Sequence, residues 1–528
     1  MPRRGGGETM ADGREERIWV QVADGRWRRL TRREFLKRAA AGAAVASLGP
    51  YVLTERAAAQ PVTLRILQWR HFVPPYDEWF DRVFAPRWGE KNNVRVVVEH
   101  IGLAEIPAVA AGEASRVAAG ADPGHDLIQH LTPPAALENQ VDTALHQEVI
   151  EELKRRAGTY IPLAEKSTYN PVTRKYFGVS DNFVPDPIHY RADLWRQVSA
   201  RLTGDQRVPL RGPITWEDIR KAGRELKRLG HPVGLGLSQE IDTGMWLRAL
   251  MYSWGTSEQD EGGNVVLDTP PFRQRTLDAL RFVKALYEET MFPGVFAWTA
   301  ASNNEEFLAG RISIAANAIS IARSAQALAA AAIRRGENPN QSPAVQFARN
   351  TWITERAPRG PEGARGLEHV MGVYTLWRNR PRPVRDAARK FLIDLVLSYD
   401  PDVAAREGWA PGKFHASQAY DYPTFLNAIS KAKRLAYLRD DPVSKAAGDR
   451  KDKLATIETA YEWAHNVGWP GPSSAAIDEV FNTWIINTMF ARVAQGVDTP
   501  EQALAAAAAQ IRRVYAKWRD QGLVGGRR

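Results

Sequence analysis

Seventeen tryptophans, ten histidines and no cysteine occur in the 528 residues, and these side chains bound the chemistry open to the chain. Without a thiol there is no disulfide, thiolate metal site, cysteine nucleophile or lipidated N-terminal cysteine. The histidines do not gather at metal-ligand spacing. His125 and His130 are five apart across a strand pattern, which sets them on opposite faces, and no His-Glu-x-x-His occurs. A Gly-x-Gly-x-x-Gly turn after a strand, a phosphate-cradling loop ending in Gly-Lys-Ser/Thr and a Gly-x-Ser-x-Gly elbow are also missing. Neighbouring carboxylates such as Glu305-Glu306 suit a solvated first helical turn, where the helix dipole favours negative charge. No catalytic residue, metal or cofactor is therefore expected. The tryptophans remain: their faces either fill cores or stack on flat, weakly polar ligands.

The elements that must position such side chains show in the periodicity. Residues 62–67 alternate apolar and polar as a strand and run into Gln68-Trp69-Arg70-His71-Phe72. A helical pattern over 76–88 follows, then strands at 94–98 and 126–130 separated by a helix over 106–119. This alternation predicts βαβ units and a mostly parallel sheet. Further on, Thr215-Trp216-Glu217-Asp218 is a capping box opening a helix to 229, and Thr499-Pro500-Glu501-Gln502 opens a final helix through 518 with Pro at its first position. Leu277, Leu280, Val283, Leu286 and Tyr287 form one helical face. Strands are expected at 311–316 and 370–376, and a Pro/Gly/Arg-rich loop at 357–366.

The net charge of +10 does not mark a nucleic-acid protein. Residues 1–59 hold 12 Lys/Arg and 7 Asp/Glu, half of the excess, and the rest is a mixed-sign surface without a basic block. That N-terminal segment has its own pattern. Thr31-Arg32-Arg33-Glu34-Phe35-Leu36-Lys37 resembles the twin-arginine export motif. Fifteen mostly apolar residues follow, too few to cross a hydrocarbon core of about 20 residues, and then Ala57-Ala58-Ala59. A basic region, a short apolar region and small residues make an export signal, an address rather than an anchor. Residues 1–59 are read as a twin-arginine signal peptide, with Met1 or Met10 as the start. Cleavage near Ala59 would leave a protein that is periplasmic or extracellular and not a lipoprotein.

Several segments then occur in an order that resembles the family 1 extracellular solute-binding proteins of ABC importers, the group of the maltose-type sugar receptors. The resemblance spans roughly residues 61–518. It rests on Lys175-Tyr176-Phe177-Gly178-Val179-Ser180, on Ile188-His189-Tyr190-Arg191-Ala192-Asp193-Leu194-Trp195, on the Thr215 helix opener and on Phe307-Leu308-Ala309-Gly310-Arg311-Ile312-Ser313-Ile314. Gly408-Trp409-Ala410-Pro411, Gly468-Trp469-Pro470 and the Thr499 helix complete the series. Arg191-Ala192 stands where the family commonly has Asn-Lys, and Ser180-Asp181-Asn182 where it has a plain Pro.

The resemblance implies an α/β, type II periplasmic-binding-protein fold of two lobes, each a central sheet flanked by helices, with a ligand cleft between them. The expected division places 60–184 and 355–400 in lobe 1, and 185–354 and 401–528 in lobe 2. The implied function is an extracytoplasmic receptor that captures a small solute, foremost a carbohydrate, for an ABC importer permease. The alternatives are the same fold binding a polyol, phosphate ester or peptide, or an exported enzyme acting on polysaccharide. The partners would be the solute, the permease subunits and the twin-arginine machinery, with no nucleic acid. Ligands in such sheets sit beyond the carboxyl ends of the strands, which selects the candidate ligand-binding residues. Trp69 and Arg70 follow the first strand, as stacking plane and as hydroxyl or anion donor; core packing and a surface ion pair are their alternatives. His130 ends the third strand, either facing ligand or as a satisfied buried histidine. Asp181 and Asn182 lie in the first crossover, for hydroxyls or for a turn. Trp246 is a facing aromatic wall or core. Asn317 is a bidentate hydroxyl partner, Glu368 and His369 border the second crossover, and Trp409 and Trp469 are loop tryptophans flanked by Gly and Pro. Arg70 with Arg191 would suit an anion.

Overall fold

The structure, a computed structural model, describes residues 17–21, 27–31, 61–72, 74–399 and 422–526. In the N-terminal unit, strands Arg17–Gln21 and Trp27–Thr31 pair antiparallel, with Arg17 opposite Thr31 and Gln21 opposite Trp27. The Arg32-Arg33 pair, the apolar run and the alanine site of the expected signal lie outside the described residues. A second compact unit spans Val62–Arg528.

Its larger sheet has seven strands. Six run in the order Tyr422–Pro423, Val179–Pro185, Gly366–Leu376, Leu127–His130, Val62–Trp69 and Val94–Ile101, and Ala464–His465 also pairs with Gly366–Leu376. The alternation read at 62–67 is that of a central strand, buried on both sides in its second half. Val94–Ile101 alternates between half-buried and exposed residues along most of its length, as an edge strand covered on one face does. Val62–Trp69 is parallel to both neighbours, whereas Gly366–Leu376 is antiparallel to Leu127–His130 and to Val179–Pro185. The sheet is thus mixed rather than mostly parallel. The two segments that travel between the sheets lie side by side in it and run in opposite directions.

The smaller sheet orders Val233–Gly234, Ile314–Ala316, Ile188–Arg191 and Thr351–Ile353. The chain leaves the first sheet at Pro185 and enters the second at Ile188; it leaves the second at Ile353 and re-enters the first at Gly366. Between those last two, the expected loop forms a small hairpin of Arg359–Gly360 with Gly363–Ala364. Each sheet has its own core. Leu64, Phe80, Phe84, Trp88, Tyr374 and Phe391 belong to one; Trp195, Trp216, Trp246, Leu280, Phe481 and Tyr515 belong to the other. Helix signals work as read. Thr215 Oγ1 accepts from Asp218 N at 3.0 Å while Asp218 Oδ2 accepts from Thr215 N at 2.8 Å, a cap worth about 1 kcal/mol. Thr499 and Gln502 do the same for Pro500–Asp520.

Two further expectations need revision. The helix over 76–88 is three pieces, Pro74–Trp79, a π turn Phe80–Phe84 and Ala85–Asn92, and Phe80 and Phe84 both meet Phe391. The described part of 401–465, expected in the second lobe, is shared: Tyr422, Phe425, Leu438, Leu454 and Trp463 join the first sheet's core, while Asp441 and Ser444 bond to Arg323 and Gln326, and Ala447 packs with Ala325, Ala329 and Val345. The second core is rejoined at Val467 and Ala475–Asn482.

Candidate functional site

Where the first sheet's carboxyl ends approach the segments that follow the second sheet, two adjoining cavities open. The inner one has about 630 Å³ of empty volume. Its first-sheet side carries Trp69, at the end of Val62–Trp69, with Gln129 and Asn182 from the next strands; its opposite side carries Asp242, Asn317 and Ser320. The Trp69 ring leans on His71 at 3.9 Å between centroids. His71 is fixed by Asp77, whose Oδ1 lies 2.6 Å from Nδ1 and whose Oδ2 accepts from the His71 N–H at 3.0 Å. Burial holds the imidazole below its usual range even so, with Asp77 opposing.

Two polar atoms stand out here. The Trp69 indole N–H and the Gln129 amide oxygen are buried, in residues only 7% and 2% exposed, and neither has a hydrogen-bond partner. Such atoms cost stability unless something binds them. The other side is the reverse, a closed amide network. Asn317 Nδ2 donates to Asn304 Oδ1 (2.8 Å), Asn304 Nδ2 to Ser320 Oγ (2.8 Å), Ser320 Oγ to Asn317 Oδ1 (3.0 Å), and Asn303 Nδ2 to Asp242 Oδ2 (2.5 Å). It holds Asp242, Asn317 and Ser320 rigidly at the cavity.

Behind Asn182, its Nδ2 donates to Asp181 Oδ2 (2.8 Å) and to the Tyr399 hydroxyl (3.0 Å), which itself donates to Asp181 Oδ2 at 2.6 Å. Burial raises Asp181 to about 6 against these bonds. A register shift sits at Gly372, opposite Asn182.

The outer cavity is larger, about 1380 Å³ of empty volume with the open solvent at its mouth included, and shares Leu103 and Leu131 with the inner one. Ile106, Pro107, Ala110, Ala111 and Leu137 form one wall; Trp298, Phe481, Trp484 and Trp518 face them. Trp484 has a left-handed backbone, φ 56°, and Phe481 is backed by the buried Arg248, 4.7 Å over its ring and paired with Glu258 at 2.7 Å. His130 lines this cavity with Nε2 3.0 Å from Thr375 Oγ1, and burial lowers its pKa to about 3, so it is neutral. Glu240 caps the helix Ile241–Ser253 through Asp242 N (2.7 Å) and Thr243 N (2.6 Å), pushed up to about 8 by burial and then by Asp242. Asp478 accepts from Ala136 N across the cavity at 2.9 Å, and burial raises it to about 7.

The other candidates stand elsewhere. Arg70 is exposed and lines neither cavity. Arg191 is taken by Asp193, at 2.6 and 3.0 Å, so no arginine pair awaits an anion. Trp246 is core, 1% exposed, its indole N–H donating to Gly236 O (2.8 Å) and its ring beside Trp216. Glu368 is fully buried as a strut, accepting from Ser167 Oγ (2.6 Å) and Val467 N (3.1 Å). Trp469 packs on Tyr252 and His465 under the Arg365 guanidinium, away from both cavities. Trp409 and the side chain of His369 lie outside the described residues. Gln129, His71, Asp242 and Ser320 were not expected; Gln129 and His71 are neighbours of chosen strand-end residues and share their signal. Among the described residues no group of three or more His, Asp or Glu forms a metal site.

No protein-family model matches the sequence, and no curated protein matches it. Solved structures do. The maltose-bound MalE3 of T. maritima superposes with a TM-score of 0.62 at 16% identity, over 86% of this chain and 100% of that one. An ABC transporter solute-binding protein of Thermotoga lettingae, bound with α-D-tagatose, gives 0.59 at 17% identity over 86% and 100%. Another from Agrobacterium radiobacter, in complex with ribitol, gives 0.59 at 16% over 86% and 98%. The fold is therefore the α/β two-lobed architecture of MalE-like solute-binding proteins.

Proposed function

We propose that the chain is an extracytoplasmic solute-binding receptor that captures a small carbohydrate or related polyol between its two lobes. It then hands the solute to the membrane subunits of an ABC importer, after export of the folded chain by the twin-arginine machinery. The observation that carries this reading is the inner cavity. An aromatic residue, Trp69, with Gln129 and Asn182 from one side and a preformed amide network from the other line it, and Trp69 Nε1 and Gln129 Oε1 are buried without partners. A sugar offers C–H faces to the ring and hydroxyls that both donate and accept. Among the described residues no Lys or Arg lines either cavity, which favours an uncharged solute over a phosphate ester. Neighbouring folds bind maltose, tagatose and ribitol, in line with this chemistry. Closure of the lobes on the solute would shift an open–closed equilibrium about the two crossing segments. Calorimetric titration of the purified chain against monosaccharides, disaccharides and polyols is the test. Trp69→Ala and Asn317→Ala should each weaken the bound solute at least ~tenfold, about 1.4 kcal/mol, with folding intact. Wild-type affinity in both would overturn the assignment.

A further inference from the structure

The two cavities divide the hydrogen-bonding demand unequally. In the inner one, Trp69 Nε1 and Gln129 Oε1 are buried without partners. In the outer one, no buried side-chain polar atom is left over among the described residues. Glu240 is used as a helix cap, and Asp478 takes the Ala136 N–H. Glu479 takes Lys517 and the Trp518 indole N–H (both 2.6 Å), and His130 holds Thr375. Thr132, Gln239, Thr299 and Asn482 also line it, but most of what the outer cavity offers is apolar surface: Ile106, Ala110, Ala111 and Leu137 opposite Trp298 and Trp484. A second sugar ring could stack on the tryptophans, but its hydroxyls toward Ile106, Ala110, Ala111 and Leu137 would be desolvated without partners, which costs affinity. An alkyl or aryl group would instead gain from the same surface.

Resting on the reading of the cleft as a carbohydrate site, we propose that the solute is an amphipathic glycoside. One polyhydroxylated ring occupies the inner cavity, and an apolar aglycone extends past Leu103 and Leu131, which line both cavities, along the outer wall. The absence of cationic lining among the described residues fits a head without phosphate or carboxylate. The aglycone is recognised by its apolar surface rather than by directed bonds, so the outer cavity tolerates different aglycones while the inner one reads the sugar.

The test is calorimetry on the full chain with matched methyl and octyl β-glycosides of glucose, galactose and mannose, below micelle-forming concentrations. Maltose, lactose and a sugar-free octyl oligo(ethylene glycol) ether complete the set. For the ring accepted by the inner cavity, the octyl glycoside should bind at least ~tenfold more tightly than the methyl glycoside and more tightly than the disaccharides. Ala111→Asp, at an exposed position of the outer wall, should erase that advantage. Equal binding of methyl and octyl glycosides, or a tighter disaccharide, overturns this inference and leaves the receptor reading standing. Equal binding of the sugar-free ether overturns it by showing that the head is not read. If no glycoside or sugar binds at all, the carbohydrate reading falls, and this inference with it.

Discussion

Gln129 and Trp69 present a conflict between folding and binding within single side chains. Each keeps a buried polar atom unpaired in the solute-free protein, which costs about 1–3 kcal/mol per atom. Gln129→Met removes the acceptor at nearly constant volume. Thermal unfolding should therefore occur at the same or a higher temperature, while solute affinity drops about tenfold, the worth of one well-placed hydrogen bond in a dry site. A variant that loses stability and keeps affinity would show that Gln129 serves the fold. Gly372 is a second sensitive position. A Cβ there would lie 2.8 Å from Asp181 Oδ1 and 3.2 Å from Asn182 Nδ2, so Gly372→Ala should destabilise by about 1–3 kcal/mol in urea titration, and an unchanged midpoint would refute the crowding. Trp69 was legible in the sequence because it closes a clean alternation. Trp246 misleads because its helix is buried from Asp242 to Ser253 on every side, and an apolar run without a polar face gives no orientation.

At the scale of elements, Glu368 ties three together. From the crossing strand Gly366–Leu376 it accepts from Ser167, at the end of helix Pro162–Thr168, and from Val467, where the chain rejoins the second core. Burial outweighs both bonds and raises its pKa to about 8 from the usual 4.5. The folded state thus holds a proton that the unfolded chain releases. Its stabilisation is complete below pH 4.5 and is lost as pH rises through about 8, with a slope of at most about 1.4 kcal/mol per pH unit. Glu368→Gln fixes the neutral form, so its melting temperature should fall less steeply than wild type between pH 5 and 8. Parallel curves would sink this role. Long elements with a period or a cap, such as Val62–Trp69 and Pro500–Asp520, are legible in the sequence. Tyr422–Pro423 and Ala464–His465 are two residues each, too short to carry a period. The placement of 422–465 against both halves depends on contacts distant in sequence, which no local period announces.

At the scale of the whole molecule, residues of both halves line the two cavities, and a hydrogen bond joins the halves beside the outer one. Asp478, in the helix Ala475–Asn482 of the second core, accepts from Ala136 in the turn Ala135–Leu137 on the other side of the outer cavity. With Ala136 also packed against the second core, this bond should favour approach of the halves, if they open and close about the crossing segments as proposed. The bond is worth about 1 kcal/mol, so Asp478→Ala should weaken solute binding about fivefold. Because Asp478 also borders the outer cavity, affinity alone does not separate a lost latch from a lost contact. Small-angle scattering of the solute-free protein does. The variant should show a larger radius of gyration than wild type without solute, and the two should converge at saturation. Identical scattering without solute, whatever the affinity, would show that the bond does not bias closure.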